Sequence, residues 1–101
     1  MTAYRLIFTY DMLEENQQEY YQFALGTLIP VMQSAGMEIM DAWSTAYGEA
    51  PGRLVSFVSQ DLDKMEAFLE GELWQQLREE FEKFVTEFEL KIVPYREGFQ
   101  F

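Results

Sequence analysis

The chain has 101 residues and a net charge of −11, from 18 acids against 7 bases, with no cysteine and no histidine. Disulfides, thiolate chemistry, a histidine base, a histidine-ligated haem and the usual zinc sites are therefore excluded, and only oxygen-ligand metals stay available. So acidic a surface repels phosphate backbones and anionic membranes, so neither nucleic acid nor membrane is expected as a partner; solubility is the plainer use of the charge.

The length predicts one domain over 1–101, and apolar residues at 49% suffice for its core. No apolar run approaches the roughly 20 residues of a membrane span. The N-terminus enters a strand-like run with no charged leader, so a cytoplasmic protein is expected.

Ala3 to Tyr10 alternates Tyr4, Leu6, Phe8 and Tyr10 with Arg5, Ile7 and Thr9, a strand of period two. After a turn at Asp11-Met12, an apolar stripe through Leu13, Tyr20, Tyr21, Ala24, Leu28, Val31, Met32 and Ala35 predicts a helix. Pro30 removes an N–H and crowds the preceding turn, so a kink or a broken second half is expected near Gly26 to Pro30; Gly36 suits the helix stop.

Met37 to Tyr47 reads as a second strand. Strict alternation puts Met37, Ile39, Asp41, Trp43, Thr45 and Tyr47 on one face and Glu38, Met40, Ala42, Ser44 and Ala46 on the other. Gly48 to Gly52 is turn chemistry, and Arg53 to Ser59 a third strand. Asp61 or Asp63 caps a short helix with Leu62, Met65, Phe68 and Leu69 on its apolar face. Gly71 breaks it, and a second helix runs from about Glu72 to Val85 through Leu73, Leu77, Phe81 and Phe84. The last strand spans Glu87 to Val93, with Phe88, Leu90 and Ile92 on one side, and Pro94 ends it; a tail holding Phe99 and Phe101 is expected to dock.

The order βαββαβ predicts an α+β ferredoxin-like antiparallel sheet with its helices on one face. Both faces of the first three strands carry apolar residues. Leaving large ones wet forfeits roughly 1.5–3 kcal/mol each, so a second copy of the sheet is the expected cover, giving a homodimer.

Leu28-Ile29-Pro30, Gly36, Ala42-Trp43-Ser44-Thr45, Gly48, Phe57, the run Asp61 to Leu69, Trp74 and Leu77 together resemble the NIPSNAP family of the dimeric α/β-barrel superfamily, over about Tyr4 to Tyr95. The resemblance implies a homodimeric α/β barrel with a cavity between sheet and helices in each subunit. Among such barrels are cofactor-free monooxygenases and isomerases. The expected occupant is a small apolar or aromatic molecule, with no cofactor and no metal; the alternative is a homodimeric interaction module without a ligand.

Asp41, an acid between Ile39 and Trp43, is the candidate general base, or else a carboxylate satisfied by an arginine or backbone N–H groups. Arg5 and Arg53 could hold an anionic group or pair with Asp41; plain surface ion pairs are the competing reading. If Tyr47 pairs with Arg53, Arg53 shares the face of Asp41, and a one-residue slip removes that. Tyr4, Tyr10, Tyr20, Tyr21, Tyr47 and Tyr95 offer hydroxyls that could line a cavity, and Trp43 a wall to it, against simple core packing. Glu79 to Glu82 reads as a solvated helix face.

Overall fold

The computed structural model describes residues 3–12, 17–44 and 52–95. Its elements are β1 (Ala3–Met12), α1 (Gln17–Phe23), a π-helical turn (Ala24–Leu28), α2 (Ile29–Ser34), β2 (Glu38–Ser44), β3 (Arg53–Ser59), α3 (Leu62–Glu70), α4 (Glu72–Phe81) and β4 (Val85–Tyr95). The four strands form one sheet in the order β2-β3-β1-β4, and the described neighbours all pair antiparallel. This is the α+β ferredoxin-like arrangement that the element order predicts.

Leu6, Phe8 and Tyr10 of β1 and Phe57 of β3 are buried on the sheet face that meets the helices. The helices answer with Tyr20, Leu28, Met32, Met65, Trp74, Leu77 and Phe81. Phe8 sits at the centre, its ring 5.4 Å from Trp74, 5.6 Å from Phe57 and 5.3 Å from Phe88. Stacked and edge-on aromatic contacts of this kind contribute beyond the area they bury.

The first helical layer is interrupted just before Pro30, by a specific device. The buried side chains Tyr20, Ala24, Leu28 and Met32 recur every four residues. A regular α-helix turns about 400° in four residues, so such a row drifts about 40° per step off its face. The wider π turn takes up that drift, and the Ile29 N–H reaches the Ala24 carbonyl, five residues back. Pro30, which has no N–H to give, follows at the start of α2. Gly36 then ends the layer at φ +90, where a side chain would be strained.

Asp61, not Asp63, caps α3: its carboxylate accepts from the Lys64 N–H at 3.0 Å. The helix expected to reach Val85 stops at Phe81, and β4 runs longer than expected at both ends. Pro94 lies inside β4 because that strand is a sheet edge, where a missing N–H is tolerated. The expected turn at Asp11-Met12 is also strand, since both residues pair with β4. The turn from Gly48 and the tail with Phe99 and Phe101 lie outside the described residues.

Two bulges correct the alternation read from the sequence. In β2 the register shifts between Ile39 and Asp41, so Ile39 lies opposite Phe57 but Asp41 lies opposite Ser56. Ile39 and Ala42 thus share the helix side, and Asp41 turns to the other face. In β4 the shift falls opposite Tyr10, between Thr86 and Glu89, with Glu87 at φ 56. It lets Val85 and Phe88, three residues apart, both reach the core.

Candidate functional site

A cavity of about 250 Å³ lies between the sheet and the α1–α2 layer. Phe8, Tyr10, Val55, Ile39 and Ala42 line it from the strands; Tyr20, Tyr21, Ala24, Leu28 and Phe81 are among its helical walls. The π turn contributes directly, since Ala24, Leu25 and Leu28 all face the space. The walls are hydrocarbon and aromatic ring, with polar atoms only where three tyrosines and one arginine stand.

Tyr10 and Tyr20 are buried, and their hydroxyls hydrogen-bond to each other. Burial raises the pKa of both phenols above the ordinary 10.0, so both remain neutral in the folded chain at any physiological pH. Two hydroxyls bring two protons, and one bond uses one of them. The other has no acceptor among the described residues. It is a donor held inside an apolar space, where an unmatched polar group is costly.

Arg53 lies directly across the β1–β3 ladder from Tyr10. Its guanidinium sits over the Tyr21 ring at 5.2 Å and the Tyr20 ring at 5.9 Å, and one nitrogen donates to the Tyr21 hydroxyl at 2.5 Å. Cation–π contact fixes the plane of the guanidinium and leaves further N–H groups to give.

The residues singled out from the sequence separate into two groups. Tyr10 and Arg53 line the cavity. Arg5 and Asp41 meet on the opposite face of the sheet, where the guanidinium donates to Asp41 Oδ2 at 2.7 Å and its Nε to Ser56 Oγ at 3.2 Å. Arg53 does not share the Asp41 face: Ser44 pairs with it, not Tyr47, and the bulge has already turned Asp41 away. The backbone of Trp43 pairs with that of Leu54. Tyr20 and Tyr21 were legible as part of the helix stripe and as hydroxyls that could line a cavity, and both do line it; their contact with Arg53 spans more than thirty positions, and no local pattern announces it.

A second, wider groove of about 530 Å³ opens where β3 runs into α3, lined by Gln33, Glu38, Gln60, Asp61 and Lys64 among others. Its polar groups are solvated, and Asp61 is already engaged as a helix cap.

The class of protein is therefore set by its fold, a ferredoxin-like α+β sheet. No protein-family model matches the sequence, and no curated protein matches it either. Solved structures do match in fold. A conserved protein of unknown function from Bacteroides thetaiotaomicron, described as a possible oxidoreductase, superposes with a TM-score of 0.71 at 14% identity, over 93% of this chain and 98% of that one. A NIPSNAP family protein from Agrobacterium tumefaciens gives 0.65 at 14% identity, over 96% and 88%. A protein of unknown function from Bacteroides fragilis, described as dimeric and ferredoxin-like, gives 0.63 at 11% identity, over 92% and 96%. At such identities the likeness establishes the fold and leaves the activity open. Among the described residues, no helix is long and apolar enough to cross a membrane.

Proposed function

We propose that the protein binds a small apolar or aromatic molecule in the cavity between its sheet and helices. The observation that carries this reading is the aromatic-walled space itself, of about 250 Å³, with a few convergent polar groups in otherwise apolar walls. That composition is the usual one for a small-molecule site. A core with no occupant gains by collapsing, because an empty space forfeits the dispersion contacts of its lining. Oxygenase or isomerase chemistry, implied by the family resemblance, would draw its oxyanion stabilisation here from Arg53 and the tyrosine hydroxyls. Asp41 is not among the cavity's lining residues, so in the single chain it is not placed to act on an occupant.

The same reading includes a second copy of the chain on the other face of the sheet. Ile7, Leu54, Val58 and Val93 lie on that face by register, around the Arg5–Asp41 pair. The Bacteroides fragilis protein of the same fold is described as dimeric. In this arrangement Arg5 and Asp41 serve subunit pairing.

Native mass spectrometry of freshly purified protein, followed by denaturation to weigh what is released, tests both parts. A dimer carrying a small-molecule mass is expected. Ala42→Trp, which fills the cavity from its exposed edge strand, is expected to remove that mass and keep the dimer. Retention of the mass in the filled variant would place the ligand elsewhere and overturn the reading; a monomer at micromolar concentration would overturn the pairing.

A further inference from the structure

We infer that the cavity selects an anion: a small flat aromatic or unsaturated molecule bearing one carboxylate, or an equally acidic oxygen, set against Arg53 and the buried tyrosine hydroxyls. This rests on the binding role proposed above and adds the charge of the ligand to it.

The argument begins with what the walls lack. The chain holds 18 acids and 7 bases, yet the cavity lining contains an arginine and no acid at all. Of the three arginines among the described residues, Arg5 pairs with Asp41 at 2.7 Å and Arg78 with Glu82 at 3.2 Å. Arg53 has no carboxylate within ion-pair distance among the described residues and rests on tyrosine rings instead. A guanidinium with no carboxylate partner among the described residues, set beside an apolar space, suits an anion that comes and goes.

The neighbouring donors point the same way. The Tyr21 hydroxyl accepts from Arg53 and keeps its own proton to give. The Tyr10–Tyr20 pair also has one proton without an acceptor among the described residues, and Tyr10 is the cross-strand neighbour of Arg53. Guanidinium and hydroxyl protons therefore converge from β1, β3 and α1, and no acceptor of negative charge stands among the lining residues. The remaining walls are rings and aliphatic side chains, matching a flat hydrocarbon body. The net charge of −11 repels anions at long range, so selection depends on contact inside the cavity.

The test compares 2-naphthoate with its neutral counterpart 2-acetylnaphthalene, which has the same rings and nearly the same outline. Both are titrated into the full-length protein by calorimetry at moderate salt. Charged hydrogen bonds are strong enough that naphthoate is expected to bind roughly tenfold or more tightly than the ketone. Arg53→Met is expected to erase that preference by weakening naphthoate while leaving the ketone within about twofold. Ala42→Trp, verified as folded by circular dichroism, is expected to abolish both.

Equal binding of the two probes, or an Arg53→Met variant that weakens both alike, would overturn the anion inference while the cavity reading stands. Failure of both probes at millimolar concentration, or unchanged binding in Ala42→Trp, would overturn the cavity reading and this inference with it.

Discussion

The two faces of the sheet treat charge in opposite ways. On the outer face, Arg5 and Asp41 neutralise each other at 2.7 Å with Ser56 beside them, and both are partly open to water. On the helix side, Arg53 lies among tyrosine rings with no carboxylate near it among the described residues, and two neutral phenols share one hydrogen bond. A satisfied ion pair is a structural feature, worth little by itself when exposed. An arginine with no carboxylate, and a hydroxyl proton with no acceptor, among the described residues at the edge of an apolar space are a standing capacity to bind. The two arginines look alike in the sequence, and the register of the sheet is what separates them.

The comparison breaks most easily at the core. Phe8 and Leu54 stand on adjacent strands but face opposite ways. Phe8 is fully buried among Phe57, Trp74 and Phe88, so Phe8→Ala is expected to cost about 3–5 kcal/mol in denaturant unfolding. Leu54→Ala, on the half-buried outer face, is expected to cost only about 1 kcal/mol. Equal losses would mean that the outer face carries as much of the fold as the helix side.

Alkali probes the phenol pair. Burial raises both tyrosines above the ordinary 10.0, so above pH 10 the unfolded chain has released protons that the native chain still holds. The unfolded state then binds fewer protons, and stability falls as pH rises. Below pH 10 both states keep the phenol protons, and this contribution is fully present. The slope contributed by Tyr10 rises toward about 1.4 kcal/mol per pH unit as the pH passes 10, and Tyr20 adds to it in the same direction. Replacing both Tyr10 and Tyr20 by Phe should flatten it. Urea melts between pH 8 and pH 11 measure this, and an unchanged slope in the double variant would show that the pair is not the titrating element.

How much of this was legible beforehand follows from the range of each signal. The strand β3 emerges from its composition to the residue, and Gly36 and Asp61 announce a helix end and a helix start through local chemistry. The ferredoxin-like order follows from the sequence of such elements. What failed was parity. A bulge is one extra residue whose cause lies in the neighbouring strand, so alternation through Met37 to Tyr47 placed Ile39 and Asp41 together when Met40 had already parted them. With Asp41 went its association with the cavity, and Arg53, whose face hung on that register, joined Tyr20 and Tyr21. The cavity residues were nearly all noticed as apolar or hydroxyl-bearing, but their convergence needed the helix layer docked on the sheet.

Asp41→Asn sharpens the view of the outer face. The two side chains are 26% and 44% exposed, so water screens the pair and its loss should cost the fold no more than about 1 kcal/mol. Where two sheets meet over it, the same change leaves Arg5 unmatched in a drier place, and the cost of an unpaired charge grows. A dilution series by analytical ultracentrifugation should therefore show a larger loss in association than chemical denaturation shows in folding. Equal small effects on both would indicate that this face stays wet.

The smallest expected effect separates the two bulges themselves. The β4 bulge holds Glu87 at φ 56, the lone positive-φ residue other than glycine among those described, whereas the β2 bulge at Met40 uses ordinary backbone. A side chain in the left-handed region costs roughly 1–2 kcal/mol, and a glycine there surrenders roughly 0.5–1 kcal/mol of that advantage through its freer unfolded chain. Glu87→Gly is thus expected to stabilise by a few tenths to about 1 kcal/mol, read as a higher urea midpoint with the slope unchanged. Glycine at Met40 has no strain to relieve and should destabilise. If Glu87→Gly also destabilised, the β4 bulge would be held by contacts of the glutamate itself, and the placing of Val85 and Phe88 in the core would depend on that side chain and not on the backbone alone.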